Sequence, residues 1–197
     1  MLIMDYNLLF TNLNRYSKIS EADFSQISAV LTKRFVKKKR ALISEGDICR
    51  YIFFVEKGIM RSFSTDKDGG EHVMQLAIED HWIADLSSFI TQTAGTLTVE
   101  AIEDSEVLLL PYAAIDQLCE RLPQLEKYFR RLYQSAYVSM QQRYNGVQTK
   151  PAKERYELLI RDNPKFAARI PLIHIASYLG ITAESLSRIR KQVVTFN

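Results

Sequence analysis

The stretch "IPLIHIASYLGITAESLSRIRKQ", residues 170–192, sets a small residue, a glycine and two apolar residues at fixed intervals: Ala176, Gly180, Leu186 and Ile189. Two short helices joined by a tight turn need that arrangement. The crossing point admits only a small side chain, and the turn needs a residue that tolerates a left-handed backbone. Ile175 and Leu179 recur at helical spacing before Gly180, and Leu186, Ile189 and Val193 recur after it, so each helix has one apolar stripe. Thr182 stands where an N-cap belongs, and the spacing predicts a second helix over about 183–193. Its polar side would present Glu184, Ser185, Ser187, Arg188 and Lys191, with Thr182 at its start. The pattern is that of a helix-turn-helix whose second helix enters a DNA major groove.

An ordinary helical hairpin would show the same stripes, and charge separates the two readings. From Thr149 onward there are nine Lys and Arg against Glu154, Glu157, Asp162 and Glu184, a balance of +5; with a net charge of +3, the rest of the chain carries −2. Lysine and arginine displace condensed counterions from DNA, so a basic segment around the helix pair suits a phosphate-binding surface. Cys49 and Cys119 are the only cysteines and lie far apart. They make neither a CxxC metal clip nor a disulfide framework, and an iron-sulfur centre usually takes four thiolates. No metal site and no catalytic residue is expected. No apolar run approaches the roughly 20 residues of a membrane span, and Met1 to Leu9 lacks the order of a secretory signal. A cytoplasmic protein without a membrane partner is the expectation.

Upstream, Leu8, Leu9 and Leu13, then Phe24, Ile27, Val30 and Leu31, follow helical spacing, with Ser20 as a cap. From Phe35 to Leu110 short apolar runs alternate with turn signals at 45–47, 57–58, 66–70 and 103–104, which implies a β-sandwich or jelly roll. The run Lys37 to Arg40 reads as an exposed edge or turn. Beyond Tyr112 the pattern is helical: Leu118, Leu122, Leu125, Phe129, Leu132 and Ala136 form a seam of alternating four and three steps, with Pro123 near a helix start. A period near 3.5 suits a coiled-coil contact, and a helix of about 25 residues would run some 37 Å, beyond what a small sandwich covers. Leu122, Leu125, Phe129, Leu132 and Ala136 are therefore the expected dimer interface. Gly146 and Lys150-Pro151 break the pattern, and "PAKERYELLIRDNP" (151–164) continues as an amphipathic helix with Tyr156, Leu159 and Ile160 as its core face. The fold class expected is α+β: a jelly-roll sensor domain over 1–117, a dimerisation helix over 118–148 and a winged-helix-like helix-turn-helix domain over 149–197.

In this order of parts the chain resembles the Crp/Fnr family of bacterial transcription regulators. The resemblance rests on "SEGD" (44–47), "FFVEKGIMRSF" (53–63), "DGGEHVMQ" (68–75) and, most specifically, "IASYLGITAESLSRIRK" (175–191). It implies a homodimer whose roll senses a small molecule and whose recognition helices bind double-stranded DNA at a near-palindromic operator, with RNA polymerase as a further partner. By position, Glu184 and Arg188 match the acidic and basic residues the family uses on base edges, while Ala183 replaces a frequent basic residue. The effector segment is Trp82 to Ala101, with Trp82, Ile83, Ala84, Asp85, Leu86, Phe89, Gly95 and Thr96 expected around the pocket. Members that bind cyclic AMP carry a small-Glu pair and an Arg-Ser or Arg-Thr pair; here Ala84-Asp85 and Gly95-Thr96 stand in those places. A cyclic phosphate buried without its arginine would lack a partner, so an effector other than cyclic AMP is expected, and no cofactor is identified. Two other classes compete: a ligand-binding adaptor without DNA function, and a cupin-like metalloenzyme, for which His72 and His81 lack the HxH spacing.

Overall fold

The computed structural model describes residues 6–194. The chain divides into two compact units, one of 1–64 with 75–135 and one of 65–74 with 136–197. In the first, α1 (Asn7–Leu13) and α2 (Glu21–Ser28) precede the strands β1 (Thr32–Val36), β2 (Ala41–Ile43), β3 (Tyr51–Lys57), β4 (Met60–Thr65), β5 (Glu71–Ala77), β6 (Trp82–Ile83), β7 (Thr98–Ala101) and β8 (Ser105–Pro111). Helix α3 (Leu86–Thr91) lies between β6 and β7. The strands form two four-stranded sheets, β1-β8-β3-β6 and β2-β7-β4-β5, with antiparallel pairing throughout the registered ladders. Ser20 caps α2 through a capping box with Asp23. The run Lys37 to Arg40 is the exposed turn between β1 and β2, held by Asp104 through Lys37 Nζ at 2.8 Å and the Lys38 N–H at 2.9 Å.

The first sheet is apolar on both faces, which is why β3 and β8 read as continuous apolar runs rather than alternating ones. Register places Phe53, Val55, Val107 and Leu109 on one face and Ile52, Phe54, Leu108 and Leu110 on the other, and all eight are buried. The second of these faces is covered by aromatic contacts: Phe54 lies 5.1 Å from Trp82, and Trp82 lies 6.2 Å from Phe129, a residue of α5 (Pro123–Thr149). A polar network is buried there too. Trp82 Nε1 donates to the Tyr128 hydroxyl at 2.7 Å, that hydroxyl donates to Asn12 Oδ1, and Asn12 Nδ2 donates to Asp80 at 2.8 Å. Burial pushes the Tyr128 phenol well above its ordinary range, so it stays a donor.

This packing changes the reading of the helical seam. Leu118 belongs to α4 (Tyr112–Arg121), and the chain breaks at Leu122 before Pro123 opens α5. Leu122, Leu125 and Phe129 are buried inside the first unit's own core, Leu132 is half-buried against it and Ala136 is exposed. The expected dimer seam is thus consumed within one chain as far as Phe129, because the sheet needs an apolar cover on that face. The long helix continues past it.

The second unit gathers the tip of the β4–β5 hairpin, the last turns of α5, and the helices α6 (Ala152–Asp162), α7 (Pro164–Arg169), α8 (Leu172–Tyr178) and α9 (Ala183–Val194). Tyr156, Phe166, Ile170, Ile175, Ala176, Leu179 and Leu186 form its buried apolar set. The Arg155 guanidinium ties three segments together, donating to the carbonyls of Lys150 at 3.1 Å, Val147 at 3.3 Å and Leu179 at 3.0 Å. At the hairpin tip, the Ser177 hydroxyl donates to the Glu71 carbonyl at 2.8 Å and accepts from the Val73 N–H at 2.9 Å. Among the described residues no strand follows β8, so the wing of a winged-helix-like domain is not among them.

Replacing Tyr128 by Phe leaves the buried Trp82 N–H and Asn12 Oδ1 without their partner. A loss of about 1–3 kcal/mol in urea unfolding is expected, with the fold retained by circular dichroism.

Candidate nucleic-acid interface and effector segment

Helix α8 ends in a Schellman motif: the Ile181 N–H donates to the Ala176 carbonyl at 3.0 Å and the Gly180 N–H to the Ser177 carbonyl at 3.0 Å. Gly180 has φ +68°, the left-handed value that a side chain would resist. Thr182 then caps α9, its Oγ1 accepting from the Ser185 N–H at 3.2 Å. Ala176 and Leu186 are buried at the crossing, and Ile189 is half-buried. Val193, third in that stripe, has a side chain outside the described ones.

The remaining side of α9 faces water. Thr182, Glu184, Arg188 and Lys191 are exposed, while Ser185 and Ser187 are half-buried flanks. Glu184 and Arg188 stand one helical turn apart. The Glu184 carboxyl is held below its ordinary range, first by its own backbone N–H, then by the Thr182 hydroxyl, with Arg188 adding a smaller attraction. It is an acceptor fixed at the helix start, and Arg188 is a planar donor beside it. Three of the four acids beyond Thr149 pair locally: Glu154 with Lys150, just before α6, and, within α6, Glu157 with Lys153 at 3.9 Å and Asp162 with Arg161 at 2.9 Å. Those pairs offset three of the nine basic residues, and Arg188, Arg190 and Lys191 on α9 are three of the six that remain.

The effector segment is closed by its own contacts. Asp85 is buried, and its carboxylate accepts from the N–H groups of Ser88 at 3.1 Å, Thr96 at 2.9 Å and Leu97 at 3.0 Å. It caps α3 and clasps the loop carrying Gly95 and Thr96. A Cβ built on Gly95 would lie 2.5 Å from Asp85 Oδ2, so the position that an arginine would occupy is filled by the carboxylate. These residues do not fit a cyclic nucleotide: the acid is spent on backbone donors and the cation has no room. Trp82 packs on Phe54 and Tyr128, and Phe89 packs on Tyr112 at 5.4 Å, so the two rings belong to different aromatic contacts. Ile83 and Ala84 are buried, and Leu86 is half-buried against the core. The cavity that opens in this unit is lined by none of the eight expected residues.

His72 pairs with Asp66 at 2.7 Å on the exposed hairpin tip, and His81 Nδ1 lies 3.1 Å from the Glu79 carbonyl, each within its own turn. Desolvation pushes both the Cys49 and Cys119 thiols up, which keeps them protonated.

The sequence reading missed a second stripe on α5. Tyr137, Met140, Tyr144 and Val147 recur at steps of 3, 4 and 3, and all are exposed, Tyr144 at 67%. The signal was there in the sequence as an apolar, aromatic heptad pattern one face away from the leucines.

A β-roll joined to a long helix and a capped helix-turn-helix with a cationic outer face defines a two-part, DNA-binding transcription regulator. Residues 33–122 match the cyclic nucleotide-binding domain family. Over most of its length the chain is similar to the anaerobic regulatory protein of Haemophilus influenzae, 26% identical across 87% of this chain and 70% of that one. It is likewise similar to the transcriptional activator protein FnrA of Stutzerimonas stutzeri, at 29%, 79% and 68%. The fold is that of FixK2 from Bradyrhizobium japonicum, with a TM-score of 0.74 at 20% identity over 84% of this chain and 85% of that one. The Thermus thermophilus catabolite activator protein gives 0.60 at 19% identity over 93% and 87%. These likenesses, to curated regulators over most of the chain and to regulators of known structure in fold, support a transcriptional regulator of the Crp/Fnr type. Its relatives are regulators, not enzymes. Among the described residues no helix is long and apolar enough to cross a membrane.

Cyclic AMP at micromolar concentration is expected to leave the melting temperature unchanged. A ligand of the native state at a hundredfold excess over Kd would add about 2.7 kcal/mol, so a thermal-shift titration resolves the two outcomes.

Proposed function

We propose that the chain acts as a cytoplasmic homodimer that sets two copies of α9 into successive major grooves of a near-palindromic operator. The observation that carries this reading is the exposed Glu184–Arg188 pair at the start of a helix held rigidly by the Gly180 turn and the Thr182 cap. Glu184 accepts from cytosine N4, Arg188 donates to guanine, and Lys191 contacts phosphate. Thr182, Ser185 and Ser187 flank those contacts as hydroxyl donors to the backbone of the duplex. RNA polymerase is the further partner such a regulator works through, and the effector is a small molecule other than cyclic AMP.

The dimer reading moves along α5 from the leucine seam to the exposed stripe Tyr137, Met140, Tyr144 and Val147, with Ala136 beside it. A period of 3.5 over that stripe suits a parallel contact with a second copy, and an exposed aromatic seam in water is otherwise a cost. Glu184 and Arg188 at i,i+4 also support the helix itself, so the reading against an adaptor without DNA function rests on their exposure together with Lys191 on the outer side of α9.

Footprinting on the source genome tests the reading directly. Arg188→Ala should cost about 1–3 kcal/mol per half-site and relax base preference, whereas Lys191→Ala should weaken all sequences alike and reduce the salt slope by about one. Equal losses on operator and random DNA for both changes would remove the division of roles. For the dimer, Tyr137→Glu with Tyr144→Glu should give folded monomers in sedimentation velocity. Leu125→Glu should instead unfold the first unit, since that side chain is fully buried within one chain.

A further inference from the structure

A cavity of about 430 Å³ opens in the first unit, lined by β1, β2, β3, β8 and the turn between β2 and β3. Its floor is apolar: Phe53 and Leu109 oppose each other in the register and are buried, as is Ile43. Arg34 and Arg50 also line it. Register aligns Arg34 with Val107 and Val55, both buried, so the strand carries a cation on the apolar face of its sheet. The guanidinium reaches water there only because β1 is an edge strand.

Three cations on or beside the strands of this unit have acids. Lys33 pairs with Glu106 at 2.8 Å, Lys37 with Asp104 at 2.8 Å and Arg61 with Glu100 at 2.9 Å. The side chains of Arg34 and Arg50 have no hydrogen-bond or ion-pair partner among the described residues. Asp47, the one acid in the lining, accepts from the Ser44 N–H at 2.9 Å and closes its own turn. The rim is fixed as well: the Gly46 N–H donates to the Gly95 carbonyl at 2.9 Å, and the Gly95 N–H donates to the Asp47 carbonyl at 2.9 Å. An inward cation on an edge strand also discourages strand pairing, but that role does not extend to Arg50, which precedes β3.

We propose that this cavity binds an amphipathic organic anion, its carboxylate-like head between Arg34 and Arg50 and its apolar body on Phe53, Ile43 and Leu109. Small-molecule sites commonly span about 300–1,000 Å³ with apolar walls and a few placed polar groups, and guanidinium forks pair bidentately with carboxylates. The site shares no residue with the segment over 82–96, and it supplies the effector that the regulator reading leaves open.

Octanoate is the probe, titrated into the full chain without DNA by calorimetry and thermal shift, with octan-1-ol, acetate and inorganic phosphate in parallel. Octanoate should bind saturably at one per chain and raise the melting temperature, and the three controls should do neither. Arg34→Gln and Arg50→Gln should each weaken octanoate about tenfold or more while keeping the unliganded melting temperature, and Arg34→Lys should retain part of the affinity. Octan-1-ol or phosphate binding as tightly as octanoate would overturn the proposal, as would unchanged affinity in the glutamine variants or no saturable octanoate binding at all. Because no DNA is present, such a failure leaves operator binding standing; conversely, loss of operator binding leaves the octanoate result intact.

Discussion

The first sheet has to be covered on both faces, and most of the architecture follows from that requirement. Phe53, Val55, Val107 and Leu109 on one side and Ile52, Phe54, Leu108 and Leu110 on the other are all withdrawn from water. Burying one such side chain is worth about 1.5–3 kcal/mol, so leaving the four on either face bare would cost about as much as a domain's whole stability margin. The second sheet supplies one cover. The other comes from helices, and Leu118, Leu122, Leu125 and Phe129 are recruited for it. Polar groups trapped beneath that cover must then satisfy one another, which is what Asn12, Tyr128 and Trp82 do.

The same requirement explains which parts of the fold were legible in the sequence. The helix-turn-helix could be read because its rules are local: Gly180 adopts the left-handed turn, Thr182 caps, and Ala176 sits at the crossing. The roll could be read as many short strands between turn signals. What the periodicity of the helical seam could not tell was the identity of its partner. A 4-3 pattern of leucines records an apolar neighbour on one side of a helix, and a neighbouring sheet satisfies it as well as a second copy does. The proline at 123 is the local clue, since it separates α4 from α5 and lets Leu122 turn into the core.

In the effector segment the residue types were legible, but their use was not. Asp85 stands where a ligand-binding acid would, yet its carboxylate faces three backbone N–H groups whose positions depend on how the loop over 93–97 returns to α3. Such a return is a tertiary event without a spacing rule. The cavity next to Arg34 was invisible for a related reason: only the register of β1 against β8 shows that this arginine shares a face with buried valines.

The sparseness of cations on α9 bears on why a regulator of this kind would work in pairs. Arg188, Arg190 and Lys191 are the basic residues of that helix. Neutralising about three phosphates gives a salt dependence near −0.9 per contact, a modest grip at physiological ionic strength. Two such helices joined by the exposed α5 stripe would double the number of phosphates engaged. The second helix then binds at the high effective concentration set by the first. Rigid mounting matters for the same reason, because any slack between the helix and its support lowers that concentration. The Arg155 fork, which holds the Leu179 carbonyl at the end of α8 together with the carbonyls of Val147 and Lys150, is the feature that removes slack between the helix pair and α5.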